Sequence, residues 1–75
     1  MTEVTAETPE GEEVTFEFHD GRLDGFDRQE LLQYRIDLYC FVDSVNHHRL
    51  DRTTKIDLLF ELGRVDASYV QLNTP

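Results

Sequence analysis

The sequence predicts an α+β fold in which an N-terminal β-hairpin is followed by a long helix and then a short helix. Three observations support this prediction. Apolar and polar residues alternate after residue 12, the dipeptide Asp20-Gly21 is typical of a tight turn, and a helix-start signal follows at Asp27. A chain of 75 residues is long enough for one small domain with a modest core.

The first twelve residues are mostly Thr, Glu, Pro and Gly, and they predict a mobile acidic tail ahead of a single domain over residues 13–75. Residues 1–20 contain seven acidic side chains and no Lys or Arg, whereas residues 21–75 contain nine acids and seven bases. The net charge of -9 is therefore concentrated at the N-terminus. Such a tail either solubilises the chain or binds a basic surface.

The predicted hairpin begins with a strand over residues 13–19, where apolar side chains alternate with polar ones. The apolar set is Val14, Phe16 and Phe18. Asp20-Gly21 suits the two positive-φ positions of a type I′ turn, so a return strand is expected and the hairpin spans about residues 13–25. Because a two-stranded hairpin is marginal alone, its apolar face needs cover.

The long helix is predicted to begin at a capping box formed by Asp27 and Glu30. Phe26 and Leu31 stand at the positions of a hydrophobic staple around this cap. No Gly or Pro interrupts the chain from there to about Arg49, which gives roughly six turns.

Two apolar stripes run along this helix when it is projected at about 100° per residue. The inner stripe consists of Leu31, Tyr34, Leu38, Phe41, Val42 and Val45. The outer stripe consists of Leu32, Ile36, Tyr39 and Cys40. We expect the inner stripe to pack within the monomer and the outer stripe to bind a second chain. The alternative is a monomer in which the hairpin covers one stripe and the C-terminal segment covers the other.

The second helix is predicted to start at Asp51 or Thr53 and to run to Leu62. We expect its inner face to consist of Ile56, Leu59 and Phe60, with Leu58 and Leu62 alongside. Gly63 stands where a left-handed C-terminal cap would end it. Residues 69–72 are apolar enough to form a third strand beside the hairpin.

Composition excludes several classes of protein. A single cysteine, Cys40, cannot form an internal disulfide, which favours a reducing compartment. The sequence shows no secretory signal and no apolar stretch of about 20 residues, so we expect a cytoplasmic protein without a membrane partner. The acidic charge argues against direct contact with nucleic acid.

No motif for nucleotide binding or nucleophilic catalysis is present, and we expect no enzyme activity and no cofactor. The strongest metal candidate is Cys40 with Asp43 and His47. Cys40 and His47 are two helical turns apart, about 10 Å along the axis, which is too far for one ion. We therefore predict no metal site.

The joint between the two helices is the most basic part of the chain and carries Arg49, Arg52 and Lys55. A helix-turn-helix contact with DNA is disfavoured because Asp57 and Glu61 on the second helix would repel phosphates. We expect these three basic side chains to bind the acidic tail instead.

The function predicted from the sequence is that of a non-catalytic protein-protein interaction module: an accessory, adaptor or assembly factor that self-associates through the outer stripe of the long helix. Tyr39 is the expected anchor because aromatic side chains concentrate binding energy. The alternative is an acidic inhibitor that mimics nucleic acid and blocks a DNA- or RNA-binding enzyme, such as a phage-type anti-defence protein. Adaptation to high salt would also favour acidic residues over lysine.

Overall fold

The computed structural model describes residues 3–19 and 21–72 and has the predicted α+β architecture. Its elements are strands β1 (Glu3–Glu7) and β2 (Glu13–Glu17) and helices α1 (Arg28–Ser44) and α2 (Arg52–Leu72), with short 3₁₀ turns at Leu23–Gly25 and His47–Arg49. The two strands pair antiparallel as a hairpin, and the helices follow.

The hairpin is built from an earlier segment than the sequence predicts. The strand predicted over residues 13–19 is confirmed as β2, but its partner is β1, within the segment predicted to be a mobile tail. Val4 and Ala6 of β1 are 5% and 7% exposed, opposite Phe16 and Val14. Two small apolar side chains between glutamates were too weak a signal for a strand, yet they suffice because β2 supplies the larger side chains.

The turn of the hairpin lies at residues 8–12 rather than at Asp20-Gly21. Gly11 has φ of 89°, a left-handed conformation that favours glycine, and its N–H donates to the carbonyl of Thr8. Asp20 lies outside the described residues. The return strand predicted after Gly21 does not form; the chain instead makes the 3₁₀ turn at Leu23–Gly25, which places Leu23 in the core.

The start of α1 is confirmed. The Asp27 carboxylate accepts the N–H of Glu30 at 2.8 Å, and the Glu30 carboxylate accepts the N–H of Asp27 at 3.1 Å. The helix ends at Ser44, earlier than the predicted Arg49. It ends there because the N–H of Asn46 donates to the carbonyl of Glu7 at 2.7 Å, which joins the helix-helix connection to the hairpin.

The second helix is longer than predicted. The N-cap at Asp51 is confirmed, since its carboxylate accepts the N–H of Thr54 at 2.7 Å, but α2 then runs for 21 residues through Gly63. Residues 69–72, predicted as a third strand, are its last turn. Val65 is fully buried and continues the face that begins at Leu58, so packing on the core extends the helix past the glycine.

The core lies between the hairpin and the two helices. The inner stripe supplies much of it, with Leu31 and Leu38 at 1% and 0% exposed. The ring of Phe16 from β2 packs 5.5 Å from that of Phe41 and 5.8 Å from that of Tyr34. The prediction that the inner stripe packs within the monomer is therefore confirmed.

Candidate protein-interaction surfaces

The four residues of the outer stripe have different environments. Ile36 is 45% exposed and Cys40 is exposed as a free thiol, whereas Leu32 and Tyr39 are half-buried. Part of the predicted interface therefore faces solvent and part lies against the rest of the chain.

Tyr39 lies at the contact between α1 and α2. Its hydroxyl donates to the Asp66 carboxylate at 2.7 Å, and the Arg35 guanidinium binds the same carboxylate at 2.9 Å. The hydrogen bond from Tyr39, followed by that from Arg35, holds the pKa of Asp66 below its usual value. The Arg35 guanidinium also stacks over the rings of Tyr39 and Tyr69, at 5.2 and 4.9 Å from their centroids. The C-terminal segment thus covers one edge of the outer stripe, as the monomer alternative expects.

A larger apolar surface lies on α2, which we call the α2 outer face. Its residues recur at three- and four-residue spacing and are all exposed: Ile56, Leu59, Phe60, Gly63, Ala67 and Val70. Leu59 and Phe60 are 63% and 75% exposed, whereas Leu58 and Val65 on the opposite side of the helix are in the core. The helix is therefore apolar on both sides, and among the described residues the side with Leu58 and Val65 is the one in the core.

The prediction that Ile56, Leu59 and Phe60 form the inner face of the second helix is wrong. All three are exposed, because Leu58 and Val65 on the opposite side of α2 fill the core. Because the helix was predicted to end at Leu62, the pattern was not expected to continue through Ala67 and Val70. By helical geometry Leu59 lies only about 20° around the helix from Asp66, the residue that contacts α1. The α2 outer face therefore adjoins the α1–α2 contact at Tyr39.

The hairpin presents an acidic face to solvent. Its side chains form three cross-strand pairs: Glu3 with Glu17, Thr5 with Thr15, and Glu7 with Glu13. The two threonine hydroxyls hydrogen-bond at 2.9 Å between the pairs of glutamates. Like charges directly opposite each other destabilise a hairpin, so this face favours a positively charged neighbour.

A polar network buried between the helices holds the chain segment that follows β2. Glu61 is 6% exposed and accepts hydrogen bonds from the Tyr34 hydroxyl at 2.5 Å and the Arg64 guanidinium at 2.9 Å. Arg64 also donates to the carbonyls of His19 and Gly21 at 2.8 and 2.6 Å. Burial, with the hydrogen bond to Glu61, raises the pKa of Tyr34 from 10.0 to about 12. Both carboxylate oxygens of Glu61 are paired, so the buried charge has hydrogen-bond partners within the chain.

Comparison with known protein families, curated proteins and solved structures gives no match.

The described residues show no ion pair between the acidic tail and the basic side chains predicted to bind it. Arg49, Arg52 and Lys55 are exposed, and the ion pairs among residues 3–19 and 21–72 do not include them. The N-terminal segment does meet the joint, but through the backbone bond from Asn46 to Glu7.

The described residues also line two shallow cavities. One, of about 160 Å³, lies between Leu23, Phe26 and Ser68, and the other, of about 280 Å³, lies between Phe18, Phe60 and the buried network. Both are smaller than the roughly 300–1,000 Å³ of usual ligand pockets. In the described part of the chain, no cluster of three His, Cys, Asp or Glu side chains is placed to hold a metal. Neither of its helices has the length and apolar character needed to cross a bilayer.

Proposed function

We propose that this protein is a non-catalytic protein-protein interaction module, an accessory, adaptor or assembly factor that binds through the exposed apolar side chains of its helices. The observation that carries the proposal is the α2 outer face, whose Leu59 and Phe60 are 63% and 75% exposed on one side of a regular helix. Contiguous apolar patches of several hundred Å² on soluble proteins mark interaction sites.

Packing within the monomer does not explain these side chains. The core already uses the opposite side of α2, where Leu58 and Val65 are 4% and 0% exposed. Phe60 is 75% exposed, which costs about 2 kcal/mol relative to full burial of its side chain. A partner that covers this side would recover part of that free energy.

Residues of α1 extend the proposed surface. Ile36 and Cys40 are exposed, and Tyr39 joins α1 to α2 through Asp66. Self-association through α1, with Tyr39 as an anchor, is part of this proposal. The engaged Tyr39 hydroxyl means that a partner would meet the edge of this ring rather than its polar end.

A capture experiment with matched variants tests the proposal. Leu59→Gln removes an exposed apolar side chain of the α2 outer face, and Leu72→Gln removes a 44% exposed leucine from another side of the same helix. With tagged protein in a lysate of its own host, we expect the wild type and Leu72→Gln to retain the same bound protein and Leu59→Gln to lose it. Equal retention by both variants, or no bound protein at all, would contradict the proposal.

A second candidate function is favoured by the acidic face. An inhibitor that imitates nucleic acid needs carboxylates on a rigid surface, and Glu3, Glu7, Glu13 and Glu17 extend from a paired hairpin rather than from a tail. Binding to a DNA- or RNA-binding enzyme should then weaken steeply with salt. It should also weaken in a variant with Glu→Gln at these positions, and not in Leu59→Gln.

A further inference from the structure

We infer that the partner of the α2 outer face is a second copy of the same chain, whose α2 packs antiparallel with Gly63 at the crossing point. This inference rests on the proposed function and names the partner. Three independent features of α2 support it: an unexplained glycine, the distribution of large and small side chains, and the local charge.

Gly63 has no role in the monomer that requires a glycine. It lies in the interior of a 21-residue helix and its φ is not in the left-handed region. A Cβ placed on it would meet nothing within 4 Å. Glycine at such a position weakens a helix relative to alanine because its backbone loses more freedom on folding. A close approach by another helix would explain why a side chain is missing at this point.

Large and small residues are separated along the α2 outer face. The large side chains Ile56, Leu59 and Phe60 precede Gly63, and the small Ala67 follows it on the same face. In an antiparallel pair centred on Gly63, residue 59 of one copy stands opposite residue 67 of the other. Phe60 then meets the space between Gly63 and Ala67 of the second copy. A parallel pair would instead oppose Phe60 to Phe60 and leave the glycines facing a gap.

Charge favours α2 over the other surfaces of the chain. The acidic face of the hairpin would repel an identical copy, whereas α2 carries three acidic and three basic residues. In the antiparallel arrangement, Lys55 of one copy lies on the same edge as Asp66 of the other and within about two helical turns along the axis. Lys55 of each copy is therefore attracted by Asp66 of the other, a carboxylate that also binds Arg35 of its own copy.

The expected interface is small. Four large exposed side chains in each copy amount to several hundred Å², so a pair would bury on the order of 1,000 Å² in total. That is at the lower end for a specific interface, and it predicts a reversible dimer in the micromolar range.

Sedimentation velocity over a range of concentrations, with a reductant that keeps Cys40 from crosslinking, tests the inference. As the concentration increases, the apparent mass of the wild type should rise from the chain mass of 8.8 kDa towards twice that value. Gly63→Ala should weaken dimerisation about tenfold or more, because the added methyl separates the helices. The same change should raise the folding equilibrium constant of the monomer about fivefold, since alanine favours the helix.

The control for Gly63→Ala is Gly25→Ala, since Gly25 is also exposed and open to a Cβ but lies outside α2. It should dimerise like the wild type. If Gly63 had only a structural role, Gly63→Ala would change the stability of the monomer and the dimer equally. If Gly63 lies in the interface, the same change should make folding more favourable and dimerisation less favourable. Unchanged dimerisation in Gly63→Ala would overturn the inference.

A crosslinking experiment tests the direction of the two helices. In a Cys40→Ser background, Ile56→Cys and Val70→Cys chains should form a disulfide when mixed, while neither crosslinks efficiently to itself. Self-crosslinking of each single variant would indicate a parallel pair and contradict the inference. If the wild type remains a monomer at all concentrations, the inference that the partner is a second copy is wrong. If Leu59→Gln still loses a captured protein in that case, the proposed function stands without the inference.

Discussion

The buried network around Arg64 gives the sharpest prediction about what stabilises the fold. Arg64→Leu removes the guanidinium that pairs with Glu61, whose side chain is only 7% exposed, and leaves the carboxylate with the Tyr34 hydroxyl alone. Removing one partner of a fully buried pair costs about 3–5 kcal/mol. Because the Arg64 side chain is 36% exposed, solvent screening reduces that to about 2 kcal/mol. The lost bonds to the carbonyls of His19 and Gly21 add about 1 kcal/mol.

A loss of about 3 kcal/mol is a large part of the roughly 4–11 kcal/mol expected for a domain of this size. Urea unfolding followed by circular dichroism should therefore show a midpoint about 2 M lower than that of the wild type. The control is the double variant Glu61→Leu/Arg64→Leu, which removes the unpaired charge and should recover at least half of the loss. A double variant as unstable as Arg64→Leu would refute the role assigned to the buried charge.

Three further predictions concern local features of the fold. Asp27→Ala removes the capping box at the start of α1 and should lower the free energy of unfolding by about 1 kcal/mol in urea unfolding, while Asp27→Ser should restore most of it. The raised pKa of Tyr34 means that the folded state keeps this proton longer than the unfolded state, so stability is full below about pH 10 and falls between about pH 10 and 12. After discounting for partial exposure, Tyr34 should account for about 1 kcal/mol of this fall. That part should be absent in Tyr34→Phe, whereas the contribution of Tyr39, whose pKa is raised by its hydrogen bond to Asp66, should remain. Val4→Asp places a charge at a residue that is 5% exposed and should unfold the chain, whereas Thr5→Asp on the exposed side of β1 should leave the far-ultraviolet circular dichroism unchanged.

The sequence predicted those parts of the fold that depend on local chemistry. The capping box at Asp27 and the cap at Asp51 are short-range hydrogen bonds between neighbouring residues, and both form as expected. The inner stripe was also predicted correctly, because a period near 3.6 residues assigns a buried side to a helix without knowledge of its partner.

The parts that were wrong depend on contacts distant in the sequence. Residues 3–7 become a strand because Val4 and Ala6 are buried beside β2, although their composition alone suits a disordered tail. Gly63 does not end α2 because the buried Val65 outweighs the low helix propensity of one glycine. The first error left the acidic glutamates in a mobile tail, and the second left Ala67 and Val70 outside the helix. The other residues of the α2 outer face were assigned to the wrong side of the helix, because a short apolar segment does not show which of its sides meets the core.

The central claim, that the α2 outer face binds a second copy of the chain, is tested most directly by backbone amide chemical shifts recorded as the protein concentration is raised. We predict progressive shifts centred on Leu59, Phe60 and Gly63, with the amides of the hairpin unchanged. Shifts confined to Ile36 and Cys40 would show that the interface lies on α1 instead. Shifts confined to the hairpin, or none up to millimolar concentration, would contradict self-association through α2.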